Sequence, residues 1–270
     1  MMPTLEDGAS GFEPVLDCGV VPLYAGSAEA ALSLVHSTGA AIVAGVGPTE
    51  QEARTVTRTI FESTVLALPE AAAVFEGGEK DTHPYGSHQP LPLHSDGFAY
   101  GLLAPDYFLL SCVRDGDTGG ESVLVDGYAM LRSLSELDPE LYHFALNVAI
   151  DQTEPGMRPF VAPLVLTASH GRMAIRTPNN CDPSPKSVDP DGERVLIARW
   201  FETLERFRRS ATRFRMNVGD LICIDNYRFL HSRDAYTGPR KLWRVWVWTT
   251  SGNGVPEGLL HSDSRYAAIN

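Results

Sequence analysis

Short apolar segments separated by turn residues dominate the chain from about residue 91 onward. Predicted strands cover residues 106–113, 121–125, 163–167, 172–176, 221–225, 229–232 and 242–249. Helical patterns at 127–146, broken near Asp138 and Pro139, and at 191–209 interrupt them. Many short strands with few inserted helices predict a mainly β protein whose core is a double-stranded β-helix, or jelly roll.

The first ninety residues have a different pattern. They predict a short strand near 20–23, a helix at 28–37, a buried strand at 40–46 and an amphipathic helix at 49–68. Residues 77–92 are polar and rich in Gly, Pro and His, which is typical of a functional loop.

The chain length suits one domain. We expect residues 1–270 to divide into a lead-in of residues 1–90, a jelly-roll core of about 91–250 and a tail of 251–270. The apolar fraction of 43% is enough to build such a core.

Composition also limits the partners that the protein can bind. The formal charge of −12 argues against the basic surface that binds nucleic acid. No apolar run approaches the roughly 18 residues of a membrane helix, and the first thirty residues do not resemble a signal peptide. Four widely spaced cysteines form no disulfide framework, so we expect a reduced, cytoplasmic setting. The expected partner is a small molecule, and a homo-oligomer is left open.

A histidine and an aspartate lie two residues apart at His94 and Asp96. In an extended segment alternate side chains share a face, so both groups would point the same way. With a second histidine they would form the facial triad typical of non-haem Fe(II) oxygenases. The spacing alone is weak, because a surface His beside an Asp is common and the pattern recurs at His261 and Asp263. We place that second pair in the tail and assign it no role.

The remaining ligand of such a site is expected at His231. It lies on the predicted strand 229–232, and a jelly roll can bring this strand close to His94 although the two are far apart in sequence. The alternative is a half-buried histidine with no ligand role.

The last predicted strand places a charge among large apolar side chains. Leu242, Arg244, Trp246 and Trp248 share one face of it, because side chains alternate along a strand. A buried guanidinium needs a partner. That partner is either a carboxylate of the protein or a carboxylate-bearing cosubstrate, which a planar guanidinium binds with two hydrogen bonds.

A tight turn at residues 115–121 carries a further hydroxyl. Its glycines can be hairpin chemistry alone. Thr118 nonetheless offers a donor to a carboxylate oxygen.

Taken together, these segments resemble the taurine dioxygenase family, the clavaminate-synthase-like branch of the Fe(II)/2-oxoglutarate oxygenases. The matching segments, in the order found in that family, are residues 93–97 (LHSDG), 105–107 (PDY), 117–121 (DTGGE), 230–233 (LHSR) and 240–244 (RKLWR). Each is short, and it is the ordered set across residues 92–248 that makes the resemblance specific.

The resemblance implies a role for each matching polar residue. The implied Fe(II) ligands are His94, Asp96 and His231. The implied 2-oxoglutarate contacts are Thr118 and Arg244, with Arg240 beside the cosubstrate or an anionic substrate. The implied reaction uses O2 to convert 2-oxoglutarate to succinate and CO2 while the substrate is oxidised. Because Asp96 is present, the resemblance favours hydroxylation over halogenation.

Two other classes share parts of this pattern. A zinc-dependent hydrolase also uses His and carboxylate ligands but has little use for the buried Arg244. A non-catalytic cupin-like binding protein would share the barrel without needing the whole set of residues. Oxygen-dependent formation of succinate distinguishes both from an oxygenase.

Candidate substrate-binding residues come from two loops. His83 and Tyr85 precede the metal strand, and Arg176, Asn179 and Asn180 follow the strand at 172–176. Ordinary solvated loop chemistry is the alternative for these positions. We expect a small polar metabolite, amino-acid-like or carboxylated, with hydroxylation as the expected outcome.

Overall fold

Two β-sheets packed face to face form the centre of the protein, in a computed structural model that describes residues 18–77, 88–154, 158–178 and 180–262. The larger sheet contains β1 Leu23–Tyr24, β2 Ala40–Val43, β3 Val65–Ala67, β4 Ala73–Gly77, β6 Tyr107–Arg114, β14 Leu221–Asp225 and β17 Arg240–Thr249. The smaller sheet contains β5 Leu91–His94, β8 Ser122–Asp126, β13 Arg213–Phe214 and β15 Phe229–Arg233.

Short paired strands and five helices complete the described chain. The pairs are β7 Thr118–Gly119 with β16 Tyr236–Thr237, β9 Ile150–Asp151 with β10 Val161–Ala162, and β11 Val165–Thr167 with β12 Met173–Ile175. The helices are α1 Ala28–Thr38, α2 Glu50–Phe61, α3 Gly127–Leu137, α4 Pro139–Asn147 and α5 Pro190–Ser210. None of the helices in the described ranges is long and apolar enough to cross a bilayer.

Three apolar clusters hold the layers together. One lies between the two sheets and includes Phe108, Phe229 and Trp246. Helices α1 and α2 pack on the outer face of the larger sheet, and α3, α4 and α5 pack on the outer face of the smaller one. The alternation of β17 follows this arrangement: Trp246 points between the sheets and Val247 points toward α1 and α2.

Most predicted elements match the described structure, and local capping explains their ends. Asp138 ends α3 and caps α4, where Pro139 takes the first helical position. The prediction of a helix over 49–68 was wrong in length. The capping box of Thr49 and Glu52 starts α2, but the helix ends at Phe61, and the β-branched and apolar residues that follow pair with β17 as strand β3.

The register of the smaller sheet sets the position of the predicted metal ligands. Strands β15 and β5 run antiparallel, and His231 lies directly opposite His94. A register shift follows between His231 and Arg233. The two histidines are thus neighbours across strands, as the jelly-roll prediction required.

A buried carboxylate ties the larger sheet to the turn after β14. Asp106 is fully buried and accepts hydrogen bonds from the Thr249 backbone N–H at 2.9 Å and the Thr249 hydroxyl at 2.5 Å. Its backbone carbonyl accepts from the N–H of Asn226 at 3.0 Å. Burial raises the pKa of Asp106 to about 6, against the lowering effect of the bonds from Thr249 and of Arg172.

The substitution Asp106→Asn should change how stability depends on pH. The folded protein holds the Asp106 proton more tightly than the unfolded chain does, so stability falls as the pH rises from about 4 to about 6 and is constant above that. Below about pH 4 the raised pKa of Asp106 contributes on the order of 3 kcal/mol to the free energy of unfolding. Urea titrations measure the free energy of unfolding of both proteins. The difference between wild type and Asp106→Asn should shrink as the pH rises from about 4 to about 6, and a difference that is constant with pH would contradict the raised pKa of Asp106.

Candidate metal centre

Three side chains converge between the two sheets. His94, Asp96 and His231 each offer a ligand atom, and these atoms lie within 4.8 Å of one another. Oδ1 of Asp96 is 3.8 Å from Nε2 of both histidines, and the two imidazole centroids are 4.0 Å apart. Two nitrogens and one oxygen can therefore bind one metal ion from the same side, which is the facial arrangement predicted from the sequence.

The backbone after β5 is held so that Asp96 can join the histidines. Gly97 adopts φ +70°, a left-handed conformation, and a Cβ at this position would lie 2.3 Å from Cδ of Pro105. Asn226 then fixes the turn: its amide oxygen accepts from the Asp96 N–H, and its amide nitrogen donates to the carbonyls of Asp96 and Pro105. The sequence pattern does not indicate this role of Asn226, because its partners lie on distant segments.

The two oxygens of the Asp96 carboxylate have different surroundings. Nη1 of Arg244 donates to Oδ1 at 2.9 Å and to Oδ2 at 3.1 Å, and the indole N–H of Trp246 donates to Oδ2 at 2.8 Å. Oδ2 thus has two donors, while Oδ1 has one and faces the imidazoles. The arrangement leaves Oδ1 as the oxygen available to a metal.

Burial and charge set the protonation states that a metal needs. Burial lowers the pKa of His94, and it lowers the pKa of His231 well below its usual value. Burial alone would raise the pKa of Asp96, but the charge of Arg244 and the hydrogen bond from Trp246 act against it, and that pKa lies below its usual value. The site therefore presents neutral imidazoles and an ionised carboxylate, which are the ligand forms that bind metal ions.

Hydrogen bonding indicates which imidazole nitrogen is the ligand. Nδ1 of His94 lies 3.0 Å from the carbonyl of Pro92. A carbonyl can only accept, so this nitrogen carries the proton and Nε2 is the nitrogen that can bind a metal. Nδ1 of His231 has no hydrogen-bond partner among the described residues, and its ring packs against Phe108 with centroids 4.4 Å apart. The donor set thus fits a divalent transition metal.

A cavity with an electropositive wall adjoins the histidines. It occupies about 640 Å³, its open mouth included, and lies between the two sheets. Its charged lining consists of Arg233, Arg240 and Arg244, and no aspartate or glutamate lines it in the described part of the chain. Guanidinium groups facing an enclosed space without acidic neighbours favour an anionic ligand.

The three arginines differ in how they are satisfied. Arg233 donates to the backbone carbonyls of Gln89 and Asp234. Arg240 is 11% exposed. Within the described ranges its Nε has no hydrogen-bond partner, and the nearest carboxylate oxygen, on Asp115, is 3.9 Å away. Arg244 donates to Asp96, the protein carboxylate that was one of its two predicted kinds of partner. Its Nη2 makes no hydrogen bond within the described residues.

Thr118 does not line this cavity. It is exposed, and its hydroxyl is 2.7 Å from that of Thr237 across the β7–β16 pair. The contact of Thr118 with a cosubstrate stays a prediction, and the exposed position of its side chain outside the cavity does not support it.

Arg176 is buried and bonded to other parts of the protein. Its guanidinium donates to the side chain of Gln152 at 2.9 Å and to the carbonyls of Gly101 and Phe98 at 2.7 and 2.8 Å, and it lies over the ring of Phe160. These bonds hold the segment that follows Asp96, and a contact of Arg176 with a substrate stays a prediction.

The other predicted substrate contacts lie away from the cavity lining or outside the described ranges. Asn180 donates to Glu154 at 3.2 Å and is not part of the lining. His83, Tyr85 and Asn179 lie outside the described residues.

The fold and the three ligands define a class of protein. A double-stranded β-helix with two histidines and one carboxylate at one end of an arginine-lined cavity is the framework of a non-haem metal oxygenase. The chain belongs to the family described as taurine catabolism dioxygenase TauD, TfdA, whose model matches residues 19–246.

The similarity to individual dioxygenases is limited and covers only part of each chain. The chain is 28% identical over 163 residues to the γ-butyrobetaine dioxygenase of Pseudomonas sp. strain AK-1, covering 58% of this chain and 42% of that protein. It is 30% identical over 137 residues to the trimethyllysine dioxygenase of Neurospora crassa, covering 46% of this chain and 28% of that protein. The chain thus spans less than half the length of either relative.

Solved structures confirm the fold. An asparagine oxygenase crystallised with Fe(II), 3-hydroxyasparagine and succinate superposes with a TM-score of 0.61 at 17% identity, covering 84% of each chain. A taurine dioxygenase from Burkholderia xenovorans superposes with a TM-score of 0.59 at 16% identity, covering 80% of this chain and 79% of that one.

The contact between Trp246 and Asp96 can be tested by two matched substitutions. Trp246→Phe removes the indole donor to Oδ2 and should weaken divalent metal binding by about tenfold, as loss of a group that orients a metal ligand does. Trp248→Phe, on the same face of β17, removes an indole that donates to the carbonyl of Leu103 and should leave metal affinity unchanged. Calorimetric titration with Co(II) under anaerobic conditions measures both, and equal losses would point to packing instead.

Proposed function

We propose that the protein is an Fe(II)- and 2-oxoglutarate-dependent dioxygenase that hydroxylates a small polar metabolite. The observation that carries this proposal is the triad of His94, Asp96 and His231, whose two histidines line a cavity that also contains three arginines and, among the described residues, no acidic side chain. Three protein ligands of this kind would leave positions on the metal for a cosubstrate and for O2.

The triad residues and their neighbours would hold iron in a fixed orientation. Nε2 of each histidine and Oδ1 of Asp96 would be the ligands, with Arg244 and Trp246 orienting the carboxylate through Oδ2. When bound, iron with 2-oxoglutarate and O2 supplies the oxidation of a substrate C–H bond and the release of succinate and CO2. The protein supplies orientation and an enclosed, largely apolar pocket.

The distal carboxylate of 2-oxoglutarate is best matched by Arg240. The sequence resemblance assigned it to Arg244, but Nη1 of Arg244 is engaged by Asp96. Arg240 lies on the same face of β17, four residues and roughly 13 Å from Arg244, and its buried guanidinium lacks a strong partner. A cosubstrate that binds the metal at one end and Arg240 at the other would use the length of the cavity. Nη2 of Arg244 would still be able to reach the metal-binding end of the cosubstrate.

The substrate class follows from relatives and chemistry together. The named relatives act on γ-butyrobetaine and trimethyllysine, and one structural neighbour contains 3-hydroxyasparagine. An amino-acid-like or carboxylated metabolite is therefore the proposed substrate. We also propose that the protein acts on a small molecule in the cytoplasm and does not bind nucleic acid.

The two alternative classes fit less well. A zinc hydrolase does not need a buried cation facing the cavity, and a cupin-like binding protein does not need the triad together with Arg240. Membership of a dioxygenase family weighs against both.

The reaction class can be tested by following 2-oxoglutarate turnover. With Fe(II) and O2 the wild-type protein should form succinate slowly alone and faster with its substrate, to be sought in a panel of amino acids and carboxylated amines. The changes His94→Ala, Asp96→Ala and His231→Ala should each abolish turnover, because each removes one of three ligands. His143→Ala, at an exposed histidine on α4, is the matched control. Turnover that persists without O2, or that requires zinc, would replace the proposal with a hydrolase.

The two arginines of β17 can be separated by parallel lysine substitutions. Arg240→Lys should weaken 2-oxoglutarate binding by at least about tenfold, equal to roughly 1.4 kcal/mol, and leave metal affinity unchanged. Arg244→Lys should weaken metal binding, because it loses the contacts to Asp96. Anaerobic titration of the Fe(II) protein, followed by its metal-to-ligand charge-transfer absorption, measures cosubstrate affinity. A larger loss of that affinity in Arg244→Lys would restore the assignment made from the sequence.

A further inference from the structure

Residues near the C-terminal end of the described chain return to the metal centre. Ser262 is 2% exposed. Its carbonyl accepts from Nε of Arg244 at 2.9 Å, and its hydroxyl accepts from the backbone N–H of Trp246 at 3.2 Å. The neighbouring His261 N–H donates to the hydroxyl of Tyr100 at 3.1 Å. Sequence analysis gave this segment no role.

Ser262 fills a gap in the hydrogen bonding of β17. One edge of β17 pairs with β6, while the other pairs with β4 as far as Arg244 and with β3 from Trp248 onward. Neither β3 nor β4 extends to Trp246, which lies between them, and its buried N–H must find another acceptor. The hydroxyl of Ser262 is that acceptor, so this serine completes the sheet edge where the strands part.

The two residues that Ser262 contacts are the two that orient the Asp96 carboxylate. Nε of Arg244 is fixed by the Ser262 carbonyl, which sets the plane of a guanidinium already stacked between Phe75 and Trp246 at 4.5 and 4.7 Å. Nη1 of the same group then points at Asp96. The Trp246 backbone, fixed by the Ser262 hydroxyl, carries the indole that donates to Oδ2.

We propose that Ser262 is a positioning residue for the metal ligand Asp96, acting through Arg244 and Trp246. The inference rests on the proposed metal centre and adds to it a segment far along the chain from every ligand. Coupling between two sites is reciprocal. If docking of Ser262 tightens metal binding, metal binding must in turn tighten the docking of Ser262.

The first test removes the hydroxyl alone. Ser262→Ala leaves the Trp246 N–H without an acceptor and should weaken Co(II) binding by about tenfold in the full-length protein. It should also change the visible Co(II) spectrum, which reports ligand geometry. Ser262→Thr keeps a hydroxyl and should retain most of the affinity. Ser251→Ala, with no hydrogen bond at its hydroxyl in the described structure, is the matched control and should behave as wild type.

The second test uses reciprocity and needs no turnover. Co(II) should slow hydrogen exchange at the Trp246 amide in wild type, and this protection should be lost in Ser262→Ala. Tyr100→Phe, which removes the acceptor of the His261 N–H, should weaken Co(II) binding in the same direction by a smaller factor.

The outcomes separate this inference from the proposed function. A Ser262→Ala protein that binds Co(II) with wild-type affinity and spectrum, whatever its melting temperature without metal, would overturn the inference and leave the metal centre intact. A wild-type protein that binds neither Fe(II) nor Co(II) would overturn the proposed function and this inference with it.

Discussion

The buried ion pair between Asp96 and Arg244 is the interaction on which the centre of this protein depends. It joins residues 148 positions apart in sequence and brings a carboxylate from beside the smaller sheet against a guanidinium of the larger one. Neither charge would be stable alone in this dry interior, and removing one partner of such a pair costs about 3–5 kcal/mol. Further hydrogen bonds make the pairing specific in geometry: Trp246 donates to the Asp96 carboxylate, Asn226 accepts from the Asp96 backbone N–H, and the Ser262 carbonyl accepts from Arg244.

The two sheets contribute different parts of the site. The smaller sheet presents the two histidines as cross-strand neighbours, with Asp96 directly after β5. The larger sheet presents the groups that orient Asp96 and the guanidinium proposed to bind the cosubstrate. Because the cavity lies between the sheets, its geometry depends on their packing through the apolar cluster that includes Phe108 and Phe229. The metal centre is therefore a product of the tertiary fold rather than of one motif.

Sequence reasoning succeeded where periodicity decides the outcome and was incomplete where long-range contacts do. Alternation along β17 predicted that Arg244 and Trp246 share a buried face, and the ordered motifs predicted the triad. The sequence left open whether Arg244 would pair with a protein carboxylate or with a ligand, because Asp96 lies on a distant segment. Arg176 was predicted to contact a substrate, and the sequence did not indicate that its guanidinium also binds two backbone carbonyls.

The two imidazoles of the centre are not equivalent. His94 is anchored at Nδ1 by a backbone carbonyl, whereas His231 is held in the described structure by ring contacts with Phe108 and His94 alone on that side. A ring fixed by a hydrogen bond resists rotation, and one held by stacking can slide and tilt at small energetic cost. If the site binds ions of different radius, the ring of His231 would therefore shift more than that of His94. Of the two candidate ligands, His94 would be the fixed one and His231 the one that adapts.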